Sequence, residues 1–271
     1  MLFRSEKFVQ PGDEIIVSQL EHHSNYVPWK LMCQRRGATF RVLPFDEHGE
    51  LDLALFERML NEKTRLVAIN HVSNSLGTVN PVAEIIRLAH AREIPVLVDA
   101  AQSVQHVAHD VQSMDADFYV FSGHKMYGPM GIGIFYGKEK WLEVLPPFLS
   151  GGEMIDTVTP EKVTFNVLPF KFEAGTPNVA QAIGLGVAVD YLQQFDSLEL
   201  QKYEEDLLAY GLSLLAEIPD LVIYGDPKHR SGILPFNVNG IQHYAMGVLL
   251  DTMGIAVRTG QNCTQPSMVA L

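Results

Sequence analysis

Six short apolar runs, several of them separated by stretches with helical spacing, constrain this chain more than any other feature. EIIVS (14–18), TFRVL (39–43), RLVAIN (65–70), PVLVD (95–99), DFYVFS (117–122) and IGIFY (132–136) are β-branched, aromatic and of strand length. Between them lie SNYVPWKLMCQRRG, DLALFERMLN and PVAEIIRLAHARE. In the first of these, Ser24 or Asn25 is the expected N-cap, Pro28 is expected in the first turn, and Gly37 stops the helix. Val82, Ile85, Ile86 and Ala89 form one apolar stripe at helical spacing. Strand, helix and strand repeated in this way imply an α/β fold with a large, mostly parallel sheet covered by helices.

The pattern changes after about residue 138. LPPFLSGGEMIDTVTPEK reads as loop-rich, and a long helical region over roughly 178–217 is expected to break near Phe195-Asp196-Ser197. LVIYG, GILPFNV, a helix at about 243–253 and a strand at 255–258 then suggest a smaller α+β unit. The expected division is a large domain over 1–177, followed over 178–271 by a long helical linker and a partial small C-terminal domain. No internal repeat and no low-complexity segment is visible.

With 271 residues, 47% of them apolar, the chain can build a sizeable core. A net charge of −12 without Lys/Arg clusters argues against nucleic-acid binding. Two cysteines, Cys33 and Cys263, fit neither a disulfide framework nor a metal-ligand spacing, which points to a reducing compartment. The start has no apolar leader core, and no run approaches the ~20 residues that span a bilayer. A soluble, cytoplasmic protein without a membrane partner is the expectation.

In open α/β sheets, ligands bind beyond the carboxyl ends of the strands. The residues there are His22 and His23 after 14–18, Asn74 after 65–70, Asp99 and Gln102 after 95–99, and Ser122, His124 and Lys125 after 117–122. Each has an ordinary structural reading. Asp99 suits a helix N-cap, Asn74 and Gln102 could satisfy loop amides, Ser122 could cap locally, and the histidines could lie on the surface. Gly128, Gly131 and Gly133 suit a hairpin. Cys33 falls within an amphipathic helix and reads as core, whereas Cys263 lies in a polar, Gly-containing loop. Lys125 is the hardest to explain structurally. A lysine at a strand end inside a small-residue turn suits a nucleophile for carbonyl carbon, and hence a Schiff base. Pyridoxal 5′-phosphate (PLP) sites combine such a lysine with an aspartate for the pyridinium nitrogen, and Asp99 stands at another strand end.

EHHSNYVPW, HVSNSLGT, LVDAAQSV, DFYVFSGHKMYGPMGIG, SGGEMI, FEAGTPN and GIAVRTGQNC follow one another along residues 10–271. In that order they resemble the motifs of NifS-like cysteine desulfurases, above all the subgroup of the SUF iron–sulfur assembly system and the related selenocysteine lyases, within the class V aminotransferase superfamily. The resemblance implies PLP fold type I, with helices on both faces of the large sheet, and a homodimer. It also implies a role for each matching residue. Lys125 would hold PLP covalently, Asp99 would pair with the pyridine nitrogen, and His22 would stack on the ring as a candidate acid/base. Asn74 and Gln102 would face the 3-hydroxyl side. Ser122 and His124 would bind the phosphate, which Thr176 would reach from the other subunit. Cys263 would be the nucleophile that takes sulfur from L-cysteine, and Arg258 would help orient the substrate.

The implied products are L-alanine and a Cys263 persulfide, passed on to a sulfur-acceptor or scaffold protein for iron–sulfur cluster assembly. Where the family often has two histidines before the nucleophile, Gln261 and Asn262 stand here. Against the family pattern the chain looks truncated at both ends, lacking a Gly-Thr-Thr phosphate loop before it and a carboxylate-binding arginine after it. Alternative readings are a selenocysteine lyase acting on L-selenocysteine, a non-catalytic PLP-fold module for binding or dimerisation, and a class V aminotransferase or epimerase. Cys263 in its RTGQNC context disfavours the last.

Overall fold

A computed structural model describes residues 8–107 and 110–271. The first part of the chain runs β1 (Glu14–Ser18), α1 (His23–Arg36), β2 (Thr39–Leu43), α2 (Leu53–Met59), β3 (Thr64–Asn70), α3 (Val82–His90), β4 (Val96–Asp99), α4 (Val111–Met114), β5 (Phe118–Ser122) and β6 (Gly133–Gly137). These six strands form one sheet in the order β2-β1-β3-β4-β5-β6. Every pairing is parallel except β5 with β6, which is antiparallel.

Successive strand residues point to opposite faces, and here both faces are buried. Ile15, Val17, Leu66, Ala68, Leu97 and Phe118 pack with Trp29, Met32 and Cys33 of α1 on one face. Ile16, Val67, Ile69, Val96, Val98 and Tyr119 pack on the other, against Phe56 and Met59 of α2 and Val82, Ile85, Ile86 and Ala89 of α3. The expected stripe of α3 therefore faces the sheet, and Cys33 is core, 1% exposed. Chain order reverses between β1 and β3, because β2 lies on one side of β1 and β3, β4 and β5 continue on the other. Such a switch point opens a crevice at the strand carboxyl ends.

Beyond β6 come α5 (Glu139–Val144), β7 (Ile155–Val158), β8 (Val163–Phe165), α6 (Val179–Leu192), α7 (Ser197–Leu215), β9 (Leu221–Ile223), β10 (Phe236–Val238), α8 (His243–Thr252) and α9 (Gln265–Met268). The helical region breaks where Asp196 caps α7, its Oδ1 accepting the N–H groups of Leu198 and Glu199 at 2.9 and 3.1 Å. Among the described residues, no helix is long and apolar enough to cross a membrane.

Three local expectations are corrected. Helix α1 is capped by His22 rather than by Ser24 or Asn25, with His22 Nδ1 accepting Ser24 N–H at 3.1 Å. The helix thus starts earlier, and Pro28 sits in its second turn, where it forfeits one intrahelical bond. The loop-rich stretch after residue 138 contains the β7–β8 hairpin, whose largely exposed strands carry no apolar face for the sequence to display. Residues 255–258 form no strand. Among the described residues the β9–β10 pair has no third member, and Ile255 and Val257 are 48% and 41% exposed, so that stretch joins no ladder there.

Candidate active site

Three adjacent parallel strands end side by side, with Asn70 of β3 registered to Asp99 of β4 and Asp99 to Val120 of β5. Beyond Ser122 the chain turns through one short 3-10 helix, Gly123–Lys125, which projects Lys125 directly past the sheet end. Only glycine fits at 123. A Cβ there would come within 2.9 Å of Ile132 Cγ2 and 3.2 Å of the Ile132 carbonyl oxygen. Gly133 is equally constrained, since its Cβ would meet the Phe121 carbonyl oxygen at 2.8 Å. The glycines of this turn therefore shape the β5–β6 hairpin that presents the lysine.

A cavity of about 550 Å³ lies over these strand ends and the β1–α1 turn. His22, Asn74, Asp99, Gln102, Ser122, His124 and Lys125 all line it. Thr176, Arg258 and Cys263 do not. Thr176 is exposed in the loop before α6. Cys263 is a free, half-buried thiol on the segment before α9, and Arg258 Nη2 lies 3.7 Å from its Sγ. The arginine expected to orient substrate thus stands beside the thiol. The Cys263 segment nevertheless abuts the cavity wall, because Asn74 Nδ2 donates to the Asn262 carbonyl at 2.6 Å. A second cavity of about 410 Å³, lined by Thr64, Pro95, Trp29 and Trp141, contains none of these residues.

The ordinary structural readings account for some of these side chains and not for others. Asp99 Oδ1 accepts Ala101 N–H at 3.0 Å, a cap on the following turn, yet burial still pushes its carboxyl above the usual range. That bond and the Lys125 ammonium act in the opposite direction. Ser122 makes no side-chain cap bond. Asn74 Oδ1 is buried without a hydrogen-bond partner. His22 is held below the usual histidine range by burial, then by its electrostatic interactions with Lys125, His23 and Arg258. Its Nδ1 accepts from Ser24, so a neutral ring carries its proton on Nε2. The arrangement provides an amine, a carboxylate that feels its charge, a neutral imidazole and an unsatisfied amide oxygen around one crevice.

Glu21 was not anticipated. It is fully buried, and burial pushes its carboxyl up to about 8. Its oxygens accept from Ser18 Oγ at 2.5 Å, Asn25 Nδ2 at 2.6 Å and Asn70 N–H at 2.8 Å. Trp29 Nε1 donates to Asn25 Oδ1 at 3.0 Å, which fixes Asn25 with its amine toward Glu21. Two fixed donors therefore meet the two carboxyl oxygens, while a proton on Glu21 can be shared with Ser18 Oγ. The only signal in the sequence was a lone acid before a His-His pair, and nothing there announces burial.

Because the folded value is raised above the unfolded one, stability is fully present below about pH 4.5 and falls as pH rises toward about 8. The loss is on the order of a few kcal/mol. Glu21→Gln cannot accept from both donors. It should cost ~1–3 kcal/mol at pH 5–6 and remove most of the stability slope up to pH 8. Urea midpoints measured across that range check both effects; an unchanged slope would assign the titration to another group.

The sheet carries a lysine and an aspartate beyond the ends of neighbouring strands, β5 and β4, an α/β arrangement with a crevice at the strand carboxyl ends. The chain belongs to the class-V aminotransferase family, whose profile matches residues 2–271. It is 51% identical over 260 residues to a cysteine desulfurase of Dickeya dadantii, covering 96% of this chain and 63% of that protein. Its structure resembles the S-sulfonic acid form of the cysteine desulfurase CsdA from Escherichia coli, with TM-score 0.93 and 40% identity over 97% of this chain and 65% of that one. It also resembles a C-DES variant with glycine covalently linked to its PLP cofactor, with TM-score 0.83 and 26% identity over 93% of this chain and 68% of that one. The fold is thus that of PLP-dependent transferases. The chain spans about 63% of the length of the curated relatives it matches.

Proposed function

We propose that this protein is a PLP-dependent cysteine desulfurase that converts L-cysteine to L-alanine and leaves the sulfur on Cys263 as a persulfide. The observation that carries the reading is Lys125 sharing one crevice with Asp99, with the Cys263 segment hydrogen-bonded to the wall of that crevice. The residues present fit PLP. Asp99, half-buried and within the field of Lys125, suits a pyridinium partner, and the orphaned Asn74 Oδ1 suits a ring hydroxyl. The uncommitted Ser122 hydroxyl, with His124, suits the phosphate. Gln102 would flank the ring and His22 would cover it. Thr176, exposed and away from the cavity, suits contact with the phosphate of a second subunit in a homodimer.

When bound, PLP supplies an electron sink at the substrate Cα. The protein's own groups do the rest. Lys125 Nζ anchors the cofactor and then carries the Cα proton. His22, a neutral ring with its proton on Nε2, donates or takes a proton at the cavity edge. The Cys263 thiolate attacks the substrate sulfur, so an S–S bond forms while the substrate Cβ–S bond breaks. The released electron pair takes up a proton at Cβ, giving alanine. Arg258, at 3.7 Å, offers the sulfur a charge-assisted donor.

Under this reading residues 1–177 form the cofactor-binding domain, and residues 178–271 form a helical linker and a smaller α+β unit. An acceptor or scaffold protein takes the sulfur onward for cluster assembly, and the setting is cytoplasmic. With PLP and L-cysteine, alanine and one extra sulfur atom on the Cys263 peptide are expected in step. Alanine released while Cys263 stays unmodified would point to a lyase that hands sulfur or selenium out directly. No PLP uptake would favour a non-catalytic module.

A further inference from the structure

The Cys263 loop is strained where the thiol sits. Asn262 and Cys263 adopt φ of +50° and +57°, two successive non-glycine residues in the left-handed region. Such residues persist only where their surroundings hold them. The hold comes from the β1–α1 turn. His23 N–H donates to the Cys263 carbonyl at 2.7 Å, and His23 Nε2 accepts Gln265 N–H at 3.0 Å. One residue thus grips the loop at the thiol-bearing position and again two residues later. Because Nε2 accepts from an amide, it is the unprotonated ring nitrogen. Gln19 supports the same segment, donating from Nε2 to the Pro266 carbonyl at 3.1 Å and accepting Ser267 Oγ–H at 2.7 Å on its own carbonyl.

We propose that His23 is a positioning residue for the nucleophile, clamping residues 263–265 so that the Cys263 thiol stays at the rim of the cavity that holds Lys125. Its neighbour His22 lines the cavity, while His23 faces the loop; the His-His pair divides cofactor wall from thiol placement. The clamp itself rests on the hydrogen bonds above. Its consequence for sulfur transfer rests on the desulfurase reading.

The test compares His23→Leu, which lacks the ring acceptor, with His23→Gln, whose Oε1 can replace Nε2. Two readouts follow each variant: backbone hydrogen exchange over residues 262–267 and the rate at which L-cysteine places sulfur on Cys263 in the PLP-loaded protein. His23→Leu should speed exchange at the Gln265 amide by about tenfold or more and slow sulfur transfer by about tenfold, with KM for cysteine unchanged. His23→Gln should restore both to within about threefold of the parent. Unchanged exchange in His23→Leu, or a glutamine variant that behaves like the leucine one, overturns the proposal. If no variant and no parent protein forms a persulfide, the desulfurase reading fails while the exchange data still judge the clamp. Altered exchange with unaltered transfer overturns the positioning role.

Discussion

Lys125→Ala is expected to abolish covalent retention of PLP after borohydride reduction and to lower alanine formation by at least about 10²-fold. The lysine leaves β5 through a turn that excludes any side chain at position 123, so its amine is placed by backbone geometry rather than by a flexible loop. Its charge acts on Asp99 across the crevice. Lys125→Arg separates these two roles. The guanidinium keeps a positive charge in the crevice but cannot condense with an aldehyde. The arginine variant should therefore fold normally and bind PLP weakly and reversibly, with no reduced adduct. Absorbance, mass and turnover of the three proteins give the comparison, and a borohydride-stable adduct in either variant would move the anchor elsewhere.

Cys263→Ser should eliminate sulfur loading of the protein while L-cysteine still changes the absorbance of the bound cofactor. The hydroxyl is a poor nucleophile toward sulfur, and the other thiol cannot substitute. Cys33 is 1% exposed within the α1 core, and burial pushes its thiol up to about 11. The expected residual transfer is therefore zero within detection, with cofactor binding unchanged. Persulfide on Cys33, or undiminished sulfur loading in the serine variant, would remove Cys263 from its role.

The sheet was legible because both of its faces are buried, which makes each strand a continuous apolar run such as PVLVD or DFYVFS. The strand-end side chains followed from the sheet, since parallel strands bring Asp99 and Lys125 together wherever the crossovers close. Less could be read where partners lie far away in sequence. Nothing near residue 255 reveals that IAVRT pairs with no strand among the described residues, because a strand is made by its ladder and not by its propensity alone. Nor does RTGQNC disclose that its carbonyls are gripped by Asn74 and His23 from the other end of the chain. Glu21 was missed for a related reason: its burial arises from Ser18, Asn25 and Asn70, which meet only once β1, α1 and β3 have assembled.

The central claim is that Lys125 and Asp99 form a PLP site beyond the carboxyl ends of β5 and β4. The most direct measurement adds PLP to the protein, reduces the mixture with borohydride and maps the adduct by peptide mass spectrometry. The account predicts one modified lysine, Lys125, and loss of that modification in Asp99→Ala at the same cofactor concentration. Labelling spread over surface lysines such as Lys140 and Lys228, with Lys125 unmodified, would contradict it.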